Sequence, residues 1–338
     1  MSIAIAKQAI SDALENSPFP YIDIAFIGGE PLLEFNLIKE TCEWAWSNSW
    51  SKGFSFYATT NGTLLTKEMK EWFHANRERF RLALSLDGQR KTHNANRCNS
   101  FDLIDFDFFL ANWPDVPAKM TISDKNLSSL ADDMIFIHEL GFKLSGCNFA
   151  EGCFVSNFEE NSKIIASQYK RMVEYYLQHP EITYPRLFNL SLDLCEIEGA
   201  GSWKKCGTGE SHMSVVDYDG KKYPCIYLSP VTLKDNQLKK VLTKNLAEHR
   251  TFINENCLNN CYLYPVCDGC YGDNFTTTGD LSQRSSQKCF LAKLRVFAAA
   301  NYQGRLLAKK LENSDTISKE DLLTIKAINK INSQFSQF

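Results

Sequence analysis

Apolar positions along this chain follow two periods that take turns. Ile3, Ala6, Ile10, Ala13 and Leu14 fall at helical spacing, so the chain is predicted to open on an amphipathic helix with no strand before it. Pro18 and Pro20 end that helix, and YIDIAFIGGEP reads as a buried strand running into a glycine turn. Helical spacing returns in LLEFNLIKETCEWAWSNSW. FSFYATTNGTLL predicts a second strand and turn, KEMKEWFHANR a second crossover helix, FRLALSLDG a third strand and FDLIDFDFFLANW its helix. The pattern continues with AKMTIS, a helix from near Asn126 to Gly141, the strand FKLSGCNF, and a long helix from about Ser156 to Gln178. Such alternation predicts an α/β fold with parallel strands and right-handed crossovers, either a doubly wound sheet or a barrel; periodicity does not choose between them. No G-x-G-x-x-G follows the first strand, so the dinucleotide fingerprint is missing. Beyond about residue 195 the alternation stops and Gly, Asn and Asp become frequent. After Cys289 the chain is helical again through LAKLRVFAAANYQGRLLAKKLE, and a last helix opens on Ser318 with Asp321 three residues on, the pattern of a capping box.

Composition narrows the class. With 338 residues, 44% hydrophobic and 23% charged, the chain is long enough for one large and one smaller domain. A net charge of -3 offers no broad attraction for nucleic acid, and the pairs Lys204/Lys205 and Lys221/Lys222 read as solvated loop residues. No apolar run approaches the roughly 20 residues of a membrane span, and the N-terminus lacks a signal core. The expectation is a cytoplasmic protein without membrane or nucleic-acid partners, whose 12 cysteines stay as thiols or metal ligands.

Seven of those cysteines crowd into one quarter of the chain. Four form the knot Cys257-x3-Cys261-x5-Cys267-x2-Cys270, with Cys206 and Cys225 upstream and Cys289 downstream. Buried structural thiols, disulfides and zinc each account for part of this density. Soft thiolates also select iron-sulfur clusters. A total of seven suits two clusters with interleaved ligands, one lacking a fourth cysteine, better than it suits zinc tetrahedra.

The strand ends carry a second group of polar residues. GGEP (Gly28, Gly29, Glu30, Pro31) sits where a parallel strand delivers its C-terminal end, the edge at which such folds bind ligands. Alone it also reads as a tight turn with a surface glutamate. Asn61 in TTNGTLL, Ser85 and Asp87 in SLDG, and Arg97 at twelve residues past Ser85 extend the pattern to later strand ends. A carboxylate for an ammonium, hydroxyl and amide groups for a ribose, and a guanidinium for a carboxylate are complementary pairs. Asp87 reads equally well as a turn stabiliser, and His93 as a structural residue.

Together these motifs resemble the radical SAM enzymes with a SPASM domain that modify peptides. The resemblance runs from the first helix to about residue 295, with Cys206-x13-Gly220-x4-Cys225, the knot and Cys289 carrying the SPASM part; the knot's outer spacings, x3 and x2, are swapped relative to that family. It implies a partial (β/α)6 TIM-like barrel over residues 1–195 missing its first strand, a SPASM domain over 196–295 and C-terminal helices over 296–338. Gly28, Gly29 and Glu30 would meet the amino group of S-adenosylmethionine, Asn61 and Ser85 its ribose, and Arg97 its carboxylate. Two auxiliary 4Fe-4S clusters are implied, an outer one on Cys257, Cys261, Cys267 and Cys289, and an inner one on Cys206, Cys225 and Cys270. Cys195 or an open iron position would complete the inner one. The implied partners are a ribosomally made precursor peptide, crosslinked through a thioether or carbon-carbon bond, and an electron donor such as a flavodoxin or ferredoxin.

One departure is chemical. The C-x3-C-x2-C triplet that binds the radical-generating cluster is absent from this sequence: Cys42 lies in a predicted helix, Cys98 stands alone, and Cys147 and Cys153 are spaced otherwise. Without it nothing delivers an electron into the sulfonium, so the chain as given is expected to be inert, either lacking an upstream strand or degenerate. Ile226, after Cys225, replaces the acidic base of some sulfatase-maturing relatives and argues against that reaction. The competing expectation is a noncatalytic iron-sulfur or zinc scaffold that binds peptide or carries electrons.

Overall fold

A computed structural model describes residues 1–115, 118–150, 156–182, 187–202, 204–209, 213–267, 269–313 and 316–334. Strands β1 (Tyr21–Phe26), β2 (Gly53–Thr60), β3 (Phe80–Leu84), β4 (Ala118–Ile122) and β5 (Leu144–Phe149) alternate with helices α1 (Ile3–Asn16), α2 (Phe35–Ser47), α3 (Lys67–Ala75), α4 (Arg90–Asn96), α5 (Phe106–Asn112) and α6 (Leu130–Glu139). All five strands run parallel. Ile24 of β1 faces Phe56 of β2, and Phe56 faces Phe80 of β3. A bridge between Ser85 and Lys119, with Leu86 N–H donating to the Lys119 carbonyl at 3.0 Å, links β3 to β4, which pairs with β5. Strand order therefore follows chain order without reversal. A doubly wound sheet reverses at a switch point, and no such reversal occurs among the described strands.

Local chemistry explains where elements begin. Ser2 caps α1 by accepting from Ile5 N–H at 3.3 Å, and Thr66 caps α3 from Met69 N–H at 3.2 Å. The helix expected over FDLIDFDFFLANW is divided into a 3-10 turn at Phe101–Leu103 and then α5. The Asp105 carboxylate starts α5 afresh by accepting from Phe108 N–H at 3.0 Å. The helix expected from Asn126 begins later, at Leu130, because the Asn126 side chain instead accepts from Ser123 N–H at 2.7 Å and donates to the Thr121 carbonyl at 3.0 Å. Gly141, at φ +97, lets the chain leave α6 through a left-handed turn.

The chain divides into two compact units. The first comprises Met1–Asn126, Asp132–Phe149 and Gly209–Ile226. Its core is aromatic: Phe56 is fully buried, with Phe26 at 5.6 Å between ring centroids, Trp46 at 5.8 Å and Phe80 at 6.4 Å, and Phe73 stands 5.1 Å from Phe80. Trp72 joins this cluster while its indole N–H donates to Glu43 at 2.9 Å. The segment 209–226 contributes a small antiparallel hairpin, β6 (Val215–Val216) and β7 (Lys222–Tyr223), with Gly220 at φ +86 in its turn. Lys222 pairs with Asp12 of α1 at 2.7 Å.

The second unit comprises Leu127–Ala131, Ala150–Thr208 and Tyr227–Phe338. It contains α7 (Phe158–Gln178), α8 (Asp235–Leu242), α9 (Glu255–Asn260), α10 (Tyr271–Thr278), α11 (Ser286–Glu312) and α12 (Lys319–Gln334). Leu192, Leu263, Val296, Ala300, Leu307, Ala327, Ile328 and Ile331 form one core, with Cys195 and Cys261 packed against it. The cysteine-rich stretch and the C-terminal helices thus share one apolar centre. At α12 the expected capping box is present: Asp321 N–H donates to Ser318 Oγ at 3.0 Å and Ser318 N–H to the Asp321 carboxylate at 2.7 Å. No described helix is long and apolar enough to cross a membrane.

Phe56→Ala removes the ring at the centre of the first unit's cluster. It should destabilise the protein by about 3–5 kcal/mol in urea unfolding. A loss below about 1 kcal/mol would show that the cluster does not depend on this ring.

Candidate functional site

The C-terminal ends of β1, β2 and β3 lie side by side, and Glu30 ties the first two together. Its Oε1 accepts from Leu32 N–H at 3.0 Å and Thr60 Oγ1 at 2.8 Å, and its Oε2 accepts from Asn61 N–H at 2.7 Å. A carboxylate has about four acceptor positions, so one remains for an outside donor. Gly28 and Gly29 precede it with open space around them: a Cβ at either position would meet nothing within 4 Å. Crowding within the chain does not demand these glycines, and the open backbone leaves room for a ligand.

Asn61 Oδ1 accepts from Thr63 N–H at 2.9 Å and Thr63 Oγ1 at 2.8 Å, an Asx turn that fixes the side chain and leaves its amide N–H2 to donate outward. Ser85 N–H donates to the Thr60 carbonyl at 2.9 Å, placing Ser85 beside the end of β2. Glu30, Asn61 and Ser85 are therefore held by hydrogen bonds that meet at Thr60 and Asn61. The sequence pattern placed Thr60 at this strand end but gave it no role.

Arg97 ends α4 with its guanidinium engaged. Nε and Nη2 donate to the Asp87 carboxylate at 2.7 and 3.0 Å, a fork on a residue that is only 2% exposed. Asp87 also accepts from Thr121 N–H of β4 at 2.9 Å, so it ties β3, β4 and α4 together. Nη1 and the second N–H of Nη2 remain to meet a ligand, and the pair is neutral as a unit. His93 lies fully buried behind this fork, its Nδ1 accepting from Asp87 N–H at 3.3 Å. Nε2 therefore carries the proton and donates to Ser100 Oγ at 3.1 Å. Burial pushes the imidazole down to about 4; Asp87 opposes that shift and Arg97 adds to it. His93 is neutral and structural.

In the second unit the thiols gather around Cys257. Burial raises the Cys257 thiol above its ordinary value, the neighbouring Cys261 and Cys289 raise it further, and Arg284 and Lys293 counter them. Tyr264 is raised chiefly by burial and then by Cys257 and Cys267. Cys195, pushed up to about 12 chiefly by burial and by Glu196, also faces Cys261. Cys261 belongs to the set that the resemblance implies for the outer cluster. Cys270 caps α10, its Sγ accepting from Asp273 N–H at 3.5 Å. Lys205 N–H, next to Cys206, donates to the hydroxyl of Tyr271, next to Cys270, at 2.7 Å. Cys225 follows β7 and belongs to the first unit. Cys153 lies outside the described residues. Among the described residues, no three His, Cys, Asp or Glu side chains converge closely enough to hold a single metal ion.

Three solved structures have a similar fold. The sulfatase-maturating enzyme anSMEcpe with bound AdoMet is 17% identical over 91% of this chain and 89% of its own, at a TM-score of 0.62. The same enzyme with AdoMet and the Cp18Cys peptide is 17% identical over 92% of each chain, also at 0.62. SuiB of Streptococcus suis bound to S-adenosylmethionine is 18% identical over 85% of this chain and 69% of its own, at 0.53. These are radical SAM maturases, and the chain shares their fold. No family model matches the sequence. No curated protein matches it either.

The buried His93 makes stability depend on pH. The unfolded imidazole takes its proton near pH 6.5, whereas the folded one resists until about pH 4. Its contribution is therefore full above about pH 6.5 and is lost as pH falls toward 4, by up to about 3 kcal/mol. Unfolding free energies measured across this window should fall for the wild type and stay flatter for His93→Gln. Equal slopes would reject a buried neutral imidazole.

Proposed function

We propose that this chain is the scaffold of a radical SAM/SPASM-type maturase of a ribosomally made peptide, inert by itself because it holds no C-x3-C-x2-C triplet. The observation that carries the reading is the strand-end constellation Glu30, Asn61, Ser85 and Arg97, held by hydrogen bonds within a fold shared with S-adenosylmethionine-bound maturases. Glu30 would take the ligand's ammonium on its remaining acceptor position, beside the open backbone of Gly28 and Gly29. Asn61 and Ser85 would donate to the ribose, and Nη1 of Arg97 to the carboxylate. When bound through an iron cluster, S-adenosylmethionine supplies hydrogen-abstracting chemistry; this chain's residues bind and orient it.

Five parallel strands in chain order support a partial (β/α)6 barrel short of its first strand. Only β2 pairs with β1 among the described residues, and Ile27, just past its end, is 60% exposed. A further parallel strand along β1 would cover that edge and bring a cluster loop toward GGEP. The thiols support two auxiliary 4Fe-4S clusters. Burial and neighbouring thiols oppose ionisation of Cys257, so these cysteines would need a cationic core to serve as thiolate ligands. A cubane also accepts ligands standing further apart than those of one tetrahedral ion. Cys257, Cys261, Cys267 and Cys289 would hold the outer cluster, and Cys206, Cys225 and Cys270 the inner one. A precursor peptide and a flavodoxin or ferredoxin donor complete the reading. The missing triplet favours one second reading, a noncatalytic iron-sulfur or zinc scaffold that binds peptide or carries electrons.

Anaerobic reconstitution followed by iron, sulfide and zinc analysis tests the metal assignment. Iron and sulfide for two four-iron clusters are expected, and Cys261→Ala should lose about half of both with its circular dichroism intact. Abundant zinc without sulfide would overturn both iron readings.

A reduced, cluster-loaded chain given S-adenosylmethionine should leave it uncleaved. Fusion of a strand bearing C-x3-C-x2-C ahead of Met1 should restore cleavage to 5'-deoxyadenosine. Cleavage by the chain alone would overturn the assignment of inertness, and an intact ligand with the fused, cluster-loaded protein would favour the scaffold.

A further inference from the structure

The loop between α10 and α11 places a cation against the cysteine knot. Arg284 is half-buried and has no hydrogen bond or ion pair among the described residues. Its guanidinium occupies the side-chain space of Gly269, between Cys267 and Cys270: a Cβ there would collide with Nη2 and stand 3.4 Å from Cζ. The location is unfavourable for a cation on local grounds. Arg284 directly precedes Ser285, the N-cap of α11, and so lies at the positive end of a 27-residue helix. A partly desolvated guanidinium at that end needs an anion nearby. The knot supplies candidates for it: Gly269, which the guanidinium covers, lies two residues past Cys267, and Arg284 also eases ionisation of the Cys257 thiol.

We propose that Arg284 is the counter-cation of the outer cluster, seated by Gly269, and that it sets how readily the cluster accepts an electron. The inference rests on the iron-sulfur reading above. Reduction adds one negative charge to a core already carrying thiolate charge, and a fixed guanidinium beside the sulfurs stabilises the reduced state more than the oxidised one. Gly269 has this role because any side chain would displace the guanidinium. The displaced atoms are the far end of a flexible side chain, so the fold tolerates the change.

The test is an EPR-monitored redox titration of the reconstituted full chain, with iron and sulfide counted in each sample. Arg284→Met should move one of the two couples to a more negative potential by at least about tenfold in its reduction equilibrium, about 59 mV for one electron. Arg284→Lys should recover part of that shift. Gly269→Ala retains the charge but displaces it, and should shift the same couple in the same direction with iron content unchanged. If Arg284→Met loses its iron, Gly269→Ala decides alone. A loaded wild type whose couples ignore both changes sinks this inference and leaves the proposed function standing. A wild type that takes up no iron and sulfide sinks both.

Discussion

Parallel pairing in chain order is the constraint on which the first unit depends. Each strand must be re-entered from the same end, so every crossover returns to the far side and every C-terminal end reaches one edge. That edge collects Glu30, Asn61, Ser85 and Asp87 from three successive strand ends. The aromatic cluster around Phe56 holds the strands together from below, and the ladder fixes how far each strand end projects. Glu30 then does locally what the sheet does globally. Because its carboxylate accepts from both Thr60 and Asn61, the ends of β1 and β2 cannot move apart without leaving a partly buried carboxylate unpaired.

The second unit faces the opposite problem, which is repulsion. Thiols around Cys257 raise one another's cost of ionisation, and packing Cys261 and Cys195 on an apolar core increases that cost. A stretch of short turns, with few ladder hydrogen bonds of its own, has little to set against this. It relies on long helices α11 and α12 and on the Leu192–Glu196 turn. There, Glu196 accepts from Tyr262 Oη and Lys330 Nζ, both at 2.6 Å. These contacts hold the knot's backbone.

Much of this was legible because it rests on short-range chemistry. The alternation of periods gave five strands and most of the helices, since a parallel strand and an amphipathic helix each write their own period into consecutive residues. GGEP and the Ser318–Asp321 box are local for the same reason. What escaped detection was non-local. Thr60 looks like an ordinary strand residue until β1 brings Glu30 beside it. Asp87 reads as a turn residue, yet its main partner is Arg97 at the far end of the next helix. Strand order depends on which crossovers pack where, and periodicity carries no information about that. Arg284 gave no signal of its own, and neither did Gly269 within the knot.

The charge balance of the strand-end edge bears on what it can bind. Asp87 and Arg97 cancel each other through their fork, so Arg97 adds hydrogen-bond donors to the edge and no surplus positive charge. Among the described residues Glu30 has no cation paired to it, and its three donors are all neutral. The edge is therefore negative by one charge. An isolated dicarboxylate or phosphate would meet repulsion there, whereas a ligand carrying an ammonium, a sulfonium and one carboxylate is positive by one and complements it. In the proposed binding mode the arrangement of groups would impose an order on that ligand as well, with its ammonium at the end of β1, its hydroxyls at β2 and β3, and its carboxylate at the end of α4.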